Sequence, residues 1–500
     1  MHPALVDALA HDLAAAGLTG EGVRALVGEH AEAALGRMVA APARRAARRS
    51  ATPLATLVRS FVLGDAVGAA ELADALPSLG VDGAVALGVA ERRDGAVAPL
   101  VAIRPHAYRD ARGSGEWWIA SDLDELAGVS PLRPDHVLGV GGAARTLAAL
   151  LPPASGGTAL DLGTGCGVIA LHLRRFADRV VATDISERAL WFTALNARLN
   201  GVAGIETRLG SLFEPVAGER FDLIASNPPF VITPRAEGVP AYEYRDGGAT
   251  GDALMAAVVG GIEAHLAAGG VACLLGNWET IGADAGLDRI RAWIGDELDA
   301  WAIERESLDP ARYAELWLRD GGTLPRDLGH DALLDAWLDD FEARGVTAVG
   351  MGWLALRRPA TDERRALARF ERVPHALALD RVGAHVAEVF DAATWLATID
   401  DARLVDEHLV TAPDVTEARH QLPGAAGPNV IELRQGGALG RTLSVDTALA
   451  ALVGASDGEL SVGVLIGAIA GLLEVDEPIL AADLLPRVRE LVLTGLLRRA

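Results

Sequence analysis

Four consecutive residues, Asn227-Pro228-Pro229-Phe230, follow directly after Phe221–Ser226, an apolar run that predicts a buried strand. Consecutive prolines make a rigid loop, which holds neighbouring groups in one orientation. The side-chain oxygen of Asn227 and the backbone carbonyl of Pro228 could accept hydrogen bonds from the two N–H groups of an amide or exocyclic amine. Phe230 could stack on the flat face of that group. The simpler alternative is that the four residues only form a turn.

The chemistry of a planar nitrogen explains why two acceptors would be useful here. Its lone pair is delocalised, so the nitrogen is a poor nucleophile and keeps its protons near neutral pH. Two fixed acceptors orient the lone pair and stabilise the positive charge that develops during attack. Because rigid prolines preserve this geometry, we predict that Asn227, Pro228, Pro229 and Phe230 are the catalytic residues.

A glycine-rich turn lies earlier in the chain. Asp161 is close to the end of an apolar run, and Gly163, Gly165 and Gly167 follow it before a helix-like segment. Glycines let the backbone pass close to a ligand. Their G-x-G-x-G spacing differs from the G-x-G-x-x-G spacing of dinucleotide sites. Asp161 would repel a pyrophosphate but suits the cationic methionine end of S-adenosylmethionine, so we predict that these four residues bind that cofactor.

The acid at the end of the next predicted strand is a candidate for ribose binding. Val180–Thr183 predicts the strand, and Asp184 follows it. An acid at this position can accept hydrogen bonds from both ribose hydroxyls. As an alternative, or in addition, Asp184 could cap the helix predicted to start at Ser186.

The loop after the third predicted strand is expected to contact adenine. The strand is Ile205–Leu209, and Ser211 and Leu212 come soon after it. Ser211 could form a hydrogen bond with the edge of the ring, and Leu212 or Phe213 could pack on its face. For Phe213, plain core packing is the alternative.

These residues must be positioned by a sheet. Strand and helix patterns alternate from Pro134 to Pro359, which predicts a parallel sheet covered by helices on both faces. We therefore expect an α/β, Rossmann-like fold with a mostly parallel, seven-stranded sheet, in a domain spanning residues 131–359. The candidate strands are Thr158–Leu162, Val180–Thr183, Ile205–Leu209, Leu223–Ser226, Gly270–Leu275 and Val346–Leu356.

Two smaller domains are predicted to flank this sheet. Residues 1–130 are expected to form helices and a hairpin, as in a winged helix, with strands at Val85–Ala90 and Val97–Ile103 on either side of Arg93-Asp94-Gly95. Residues 360–500 are expected to be mainly helical, and could form a second winged-helix-like module. Their predicted helices are Val445–Val453, Ser461–Leu473 and Asp483–Thr494, with Ser461 and Asp483 as N-caps.

Charge is distributed unevenly along the chain. Its formal net charge is −23, which opposes nucleic-acid binding by the surface as a whole. Between Gly36 and Gly64, however, there are six arginines and no acid, and Arg44, Arg45, Arg48 and Arg49 would share one helical face. This face is either a solvated surface or a docking site for RNA or an acidic partner.

Composition points to a cytoplasmic protein. Only two cysteines occur, so we expect no disulfide framework and a reducing compartment. The N-terminus lacks the pattern of a signal peptide. The longest apolar stretch, Leu460–Leu473, is too short to span a bilayer, and we expect no membrane association. The sequence has no cluster of His and Cys residues that would suggest a metal site.

Asp161–Gly167, Asp184 and Asn227–Phe230 together resemble the amino-methyltransferase superfamily of class I, S-adenosylmethionine-dependent enzymes. The longer string Asn227–Pro234 most closely resembles the HemK/PrmC-like glutamine methyltransferases, in which a glycine-rich segment also follows, here Tyr244–Gly248. The resemblance implies cofactor contacts for Asp161, Gly163, Asp184 and the Ser211 loop, and target contacts for Asn227, Pro228 and Phe230.

Three functions are compatible with these residues. The first is methylation of a protein glutamine side chain, as in release factors. The second is methylation of an exocyclic amine in RNA or DNA, suggested by the arginine-rich face and the winged-helix-like patterns. The third is a regulator that binds nucleic acid or protein and keeps a vestigial cofactor site. In each case the expected partner is a macromolecule.

Overall fold

The computed structural model describes residues 2–129, 133, 135–153, 156–236, 239, 245–361, 363–374 and 378–500. The predicted boundary at residues 130 and 131, Pro134, and the start of the glycine-rich segment at Tyr244 lie outside these residues.

The N-terminal unit consists of short helices, a small sheet and a long hairpin. Its three-stranded sheet has the order β1-β3-β2, and the helices before and after β1 pack beside it. Residues 58–62 continue α5 as a π-helix. The elements are α1 (Pro3–Ala16), α2 (Gly20–Val27), α3 (Glu29–Leu35), α4 (Ala41–Ala47), α5 (Pro53–Leu57), β1 (Val67–Gly68), α6 (Ala69–Ala75), α7 (Gly80–Leu87), β2 (Ala90–Arg93), β3 (Ala96–Pro99), β4 (Val101–Asp110) and β5 (Gly113–Asp122).

The hairpin predicted around Arg93 is present, but its strands are shorter than expected. Asp94 and Gly95 form the turn, both with positive φ, which matches the twist of a tight hairpin. Val85 belongs to α7, because the helix continues to a left-handed Gly88. Val101–Ile103 starts β4, which pairs with β5 in a second hairpin.

The central sheet confirms the Rossmann-like α/β fold but has eight strands rather than seven. Its order is β13-β11-β12-β10-β9-β6-β7-β8, and β12 runs antiparallel to both of its neighbours. The elements are α8 (Gly142–Leu150), β6 (Thr158–Leu162), α9 (Val168–Arg174), β7 (Arg179–Asp184), α10 (Glu187–Leu199), β8 (Ile205–Leu209), β9 (Phe221–Ser226), α11 (Ala253–His265), β10 (Leu266–Ile281), α12 (Gly286–Trp293), β11 (Asp299–Leu308), α13 (Pro310–Asp320), α14 (His330–Ala343), β12 (Val346–Arg357) and β13 (Ala368–Arg372).

The extra strand shifts the C-terminal limit of this unit. β13 pairs in parallel with β11, so the central sheet extends past residue 359, where we predicted the domain to end. β11 itself was not among the candidate strands.

Each face of the sheet has its own apolar core. On one face, Ile224, Trp278 and Leu354 are fully buried with α11 and α12. On the other face, the buried cluster runs without interruption from the helices of the N-terminal unit, such as Leu9 and Phe61, to the sheet. The N-terminal unit is therefore packed on the sheet by a shared core.

The C-terminal unit contains more strands than predicted. It has two three-stranded sheets, with the orders β18-β14-β19 and β15-β16-β17. The elements are α15 (Leu379–Ala397), α16 (Asp401–Leu404), β14 (His408–Thr411), β15 (Val415–His420), β16 (Val430–Gln435), β17 (Thr442–Val445), α17 (Thr447–Ala455), β18 (Asp457–Ser461), α18 (Val462–Leu473), α19 (Glu477–Leu493) and β19 (Leu497–Arg499).

One of the two predicted N-caps in this unit is wrong. Ser461 caps α18 by accepting a hydrogen bond from the Val464 amide. The last helix starts earlier than predicted, because Asp476 caps it and Pro478 lies in its first turn. Asp483 therefore lies inside α19.

Within the described residues, no helix is long and apolar enough to cross a membrane. Cys166 and Cys273 are both buried and unpaired, so neither forms a disulfide.

Candidate active site

A cavity of about 260 Å³ opens at the carboxyl ends of β6, β7 and β9. Ligands bind at this edge of parallel α/β sheets because the loops after the strands converge there. Nine of the eleven predicted site residues line it: Asp161, Gly163, Gly165, Asp184, Ser211, Leu212, Asn227, Pro228 and Pro229. Gly167 and Phe230 are not among the described residues of its lining.

Asp161 places a buried carboxyl group in the wall of the cavity. Only 2% of the residue is exposed, and its Oδ2 accepts a hydrogen bond from the Thr164 hydroxyl at 2.6 Å. Burial raises the pKa of Asp161 to about 7, and the nearby Asp184 carboxyl adds to this increase. Among the described residues no arginine forms an ion pair with it. A cationic ligand would supply the missing positive charge.

Asp184 holds the glycine turn against the end of β7. Its Oδ2 accepts from the Gly165 amide at 3.0 Å, and its Oδ1 accepts from the Ser186 amide at 2.9 Å. Ser186 itself caps α10, through a hydrogen bond from the Ala189 amide. Ser186, and not Asp184, is therefore the N-cap of α10. Asp184 still accepts the hydrogen bond from the Ser186 amide. Burial raises the pKa of Asp184 as well.

The three glycines have different environments. Gly163 and Gly165 have φ of 76° and 54°, and the space where a Cβ would stand is open at both. Gly167 is packed against α10 instead, where a Cβ would come within 2.8 Å of the Thr193 Cα. Its hydrogen-sized side chain allows this close approach of the turn to α10. The cofactor contact of Gly167 stays a prediction.

The loop after β8 has the placement that we predicted for an adenine contact. Ser211 and Leu212 line the cavity, and Leu212 has a positive φ of 48°. Phe213 is buried in the core and stacks on His265, with 4.4 Å between the ring centroids. For Phe213, core packing is the interpretation that the structure supports.

Sequence reasoning missed one wall of the cavity. Residues 135–139 cover it from the side of the N-terminal unit. Asp122, at the end of β5, fixes this segment by accepting from the Val137 amide at 2.9 Å, and Arg188 of α10 binds the same carboxylate. Ile185, also missed, lines the cavity with 57% of its surface exposed. The sequence did carry a signal for Ile185, because it is an apolar residue directly after Asp184, the acid that ends β7.

The amide of Asn227 has an unused acceptor. Its Oδ1 is buried and makes no hydrogen bond within the described part of the chain. A buried polar atom without a partner costs free energy, on the order of 1–3 kcal/mol. Asn227 itself lines the cavity beside Pro228, and an N–H donor that reached its Oδ1 would satisfy this atom.

Tyr313 of α13 binds the loop that follows Pro229. Its hydroxyl accepts from the Ile232 amide at 3.1 Å and from the Asn277 side chain at 2.7 Å. Phe230 forms a backbone bridge with Asp246, and its ring centroid is 6.4 Å from that of Trp317. Phe230 therefore packs beside the cavity and is not among the described residues of its wall, and its stacking on the target stays a prediction.

Three family models match separate parts of the chain. One, described as Methyltransferase small domain, matches residues 139–239. The other two are domains of unknown function, DUF7059 at residues 15–100 and DUF7782 at residues 387–499.

Similar curated proteins cover the same central part. A release factor glutamine methyltransferase of Xylella fastidiosa is 39% identical over 128 residues, which are 24% of this chain and 46% of that protein. One of Enterococcus faecalis is 47% identical over 76 residues, 15% of this chain and 27% of that protein. A ribosomal protein L11 methyltransferase of Pelotomaculum thermopropionicum is 49% identical over 74 residues, 14% and 24% of the two chains. The chain thus spans less than half the length of these relatives.

Over residues 139–239 the central unit is thus similar to methyltransferases, which use S-adenosylmethionine as methyl donor. The residues of the cavity fit this cofactor, because a buried carboxyl without a cationic partner, an open glycine turn and a strand-end acid surround one space. No group of His, Cys, Asp and Glu in the described ranges is arranged to hold a metal ion.

Proposed function

We propose that this chain methylates a planar amide nitrogen, and that its substrate is a glutamine side chain of a protein of the release-factor type. The observation that carries the proposal is the buried Asn227 Oδ1 without a hydrogen-bond partner in the described chain, next to the cofactor cavity. The string Asn227–Pro234 supports the glutamine methyltransferase type, as do relatives with that name.

S-adenosylmethionine, when bound, supplies an electrophilic methyl group. Asp161 would hold its cationic methionine end, Asp184 its ribose, and Ser211 and Leu212 its adenine. Asn227 Oδ1 and the Pro228 carbonyl would accept the two N–H groups of the target amide. These acceptors direct the nitrogen lone pair towards the cavity. They stabilise the positive charge on nitrogen as its bond to the methyl carbon forms and the bond from that carbon to the cofactor's sulfur breaks, which leaves a neutral thioether. The nitrogen then returns to neutrality by releasing one of its protons to solvent.

Incubation with labelled cofactor tests the substrate. Purified protein, cofactor carrying a labelled methyl group and the release factors of the same organism are combined, and the product is digested with protease and analysed by mass spectrometry. We expect the label on a glutamine side chain. Asn227→Ala should remove most of it, while the matched control Asn429→Ala, at an exposed position, should keep the native rate. Absence of label on protein in the presence of active enzyme would refute the glutamine assignment.

A second candidate is methylation of an exocyclic amine in RNA or DNA. It is favoured by the order of elements in residues 53–99, where a helix, a strand, two helices and a hairpin follow one another as in the predicted winged helix. The arginine-rich face supports it less than expected, because Arg44 is bound to Asp65 and Arg59 to Glu71. In the same assay with total RNA and DNA, label released by nuclease would favour this candidate.

A further inference from the structure

An unusual apolar surface lies in the C-terminal unit. Six of the sixteen large hydrophobic side chains that are exposed in the described chain fall within residues 460–479. Val464 and Leu472 share one face of α18 with Ala468 between them, because they recur at four-residue spacing. We define the apolar C-terminal face by its six residues: Leu460, Val464, Leu472, Leu473, Val475 and Ile479.

Acidic residues lie next to these apolar residues in the sequence. Glu459, Glu474, Asp476 and Glu477 are all exposed, and none forms an ion pair with another described residue. The sequence has no arginine between Asp457 and Pro486. A partner for this face should therefore combine apolar side chains with positive charge.

The same chain carries a surface of that chemistry in its N-terminal unit. Arg37, Arg45, Arg48 and Arg49 are exposed around α4, next to Met38 and Val39, which are 49% and 45% exposed. We call these six residues the arginine segment. Within the described ranges Arg45 and Arg49 form no ion pair, and Arg48 reaches Asp65 only at 3.5 Å.

We propose that the apolar C-terminal face binds the arginine segment of a second copy of this chain. Four acids without ion-pair partners match four exposed arginines, and each surface offers apolar side chains that water would otherwise cover. Both surfaces are exposed on one and the same chain, so the contact forms between copies. It closes as a two-fold dimer if it is reciprocal, and forms larger assemblies if it is not.

Sedimentation of the full chain over a wide concentration range tests the proposal. We expect the mass to rise from the 52.0 kDa of one copy to at least twice that value, and the association to weaken as salt increases. Leu472→Asp combined with Ile479→Asp should leave a single copy at all concentrations. The matched control Leu328→Asp changes a fully exposed leucine outside both surfaces and should associate like the native chain.

A charge-swap experiment identifies the partner surface. One variant carries Arg37→Glu, Arg45→Glu and Arg49→Glu, and the other carries Glu459→Arg, Glu474→Arg and Glu477→Arg. Each alone should remain a single copy through like-charge repulsion, and an equimolar mixture should associate again. The proposal is overturned if the native chain stays a single copy throughout, or if it associates but the mixture of folded variants does not.

Discussion

Replacing Asp161 with Asn tests the electrostatic basis of the cofactor site. In the cofactor-free protein, burial raises the pKa of this carboxyl from 3.8 to about 7. The folded state therefore binds the Asp161 proton more tightly than the unfolded state does. Its contribution to stability is lost as the pH rises from 3.8 towards 7, and the loss is complete above 7. The difference in pKa corresponds to on the order of 4 kcal/mol.

Asp161→Asn removes this penalty, since an amide has no charge to bury and can still accept from the Thr164 hydroxyl. We expect the cofactor-free variant to melt at a higher temperature than the native protein at pH 8, and the two to converge as the pH falls towards 4. Cofactor affinity should change in the opposite direction. Losing a hydrogen bond to a charged group costs about 1.5–3 kcal/mol, or roughly 10- to 150-fold in affinity at pH 8.

Calorimetric titration with S-adenosylmethionine at several pH values measures this directly. Native affinity should increase from pH 5.5 to pH 8 as Asp161 ionises, more steeply than in the variant. The amino group of the ligand also titrates, but it does so in both proteins, so the difference between them isolates Asp161. Equal affinities at pH 8, or identical pH profiles, would refute the assignment of Asp161 to the cationic end of the cofactor.

Substitutions at three further residues separate the roles of the remaining site residues. Asp184→Ala should weaken cofactor binding about tenfold or more in calorimetry, and unchanged affinity would leave Asp184 only the support of the glycine turn. Asn227→Ala should lower the single-turnover rate by roughly 10²–10³-fold with cofactor affinity retained, and Asn227→Asp should keep partial activity; a native rate in the Ala variant would exclude Asn227 from the chemistry. Gly167→Ala should lower the melting temperature because the added methyl group forces Thr193 away, at a cost of about 1–3 kcal/mol. Weaker cofactor binding without loss of stability would instead support a cofactor contact of Gly167.

Strands β6 and β9 were predictable because each is a short, mainly apolar run with clear limits, whereas β8 was predictable from its limits and its place in the strand–helix alternation, since Glu206, Thr207 and Arg208 are polar. Ile205–Leu209 and Thr158–Leu162 have the bounds that the sequence pattern indicated. β11 was missed because it buries charges. Asp299 and Glu304 are almost fully buried there, paired with Arg357 and Arg372, which are 58 and 68 residues away in the sequence. Charged residues are rarely buried without such partners, and local pattern does not reveal the partners.

The site was predictable to the extent that it follows from strand ends. Asp161, Asp184 and Asn227 are near or just past the ends of three different strands, and the topology of a parallel sheet brings such positions together. Gly167 and Phe230 could not be placed in this way, because their surroundings depend on how α10 and α13 pack. The wall formed by residues 135–139 depends on a contact with β5, which no local pattern encodes.

The N-terminal unit is part of the support of the cofactor site. Asn196 of α10 is fully buried. Its side-chain oxygen accepts from the Ala120 amide of β5, and its side-chain nitrogen donates to the Ala120 carbonyl. The same nitrogen also donates to the Cys166 carbonyl in the glycine turn. At the end of the same strand, Asp122 holds Val137 in the opposite wall. One strand of the N-terminal unit thus connects with two walls of the cavity. Removing residues 1–130 would leave the Asn196 side chain without its hydrogen-bond partners in β5. A central unit isolated from the rest of the chain should therefore bind the cofactor less tightly than the full chain does.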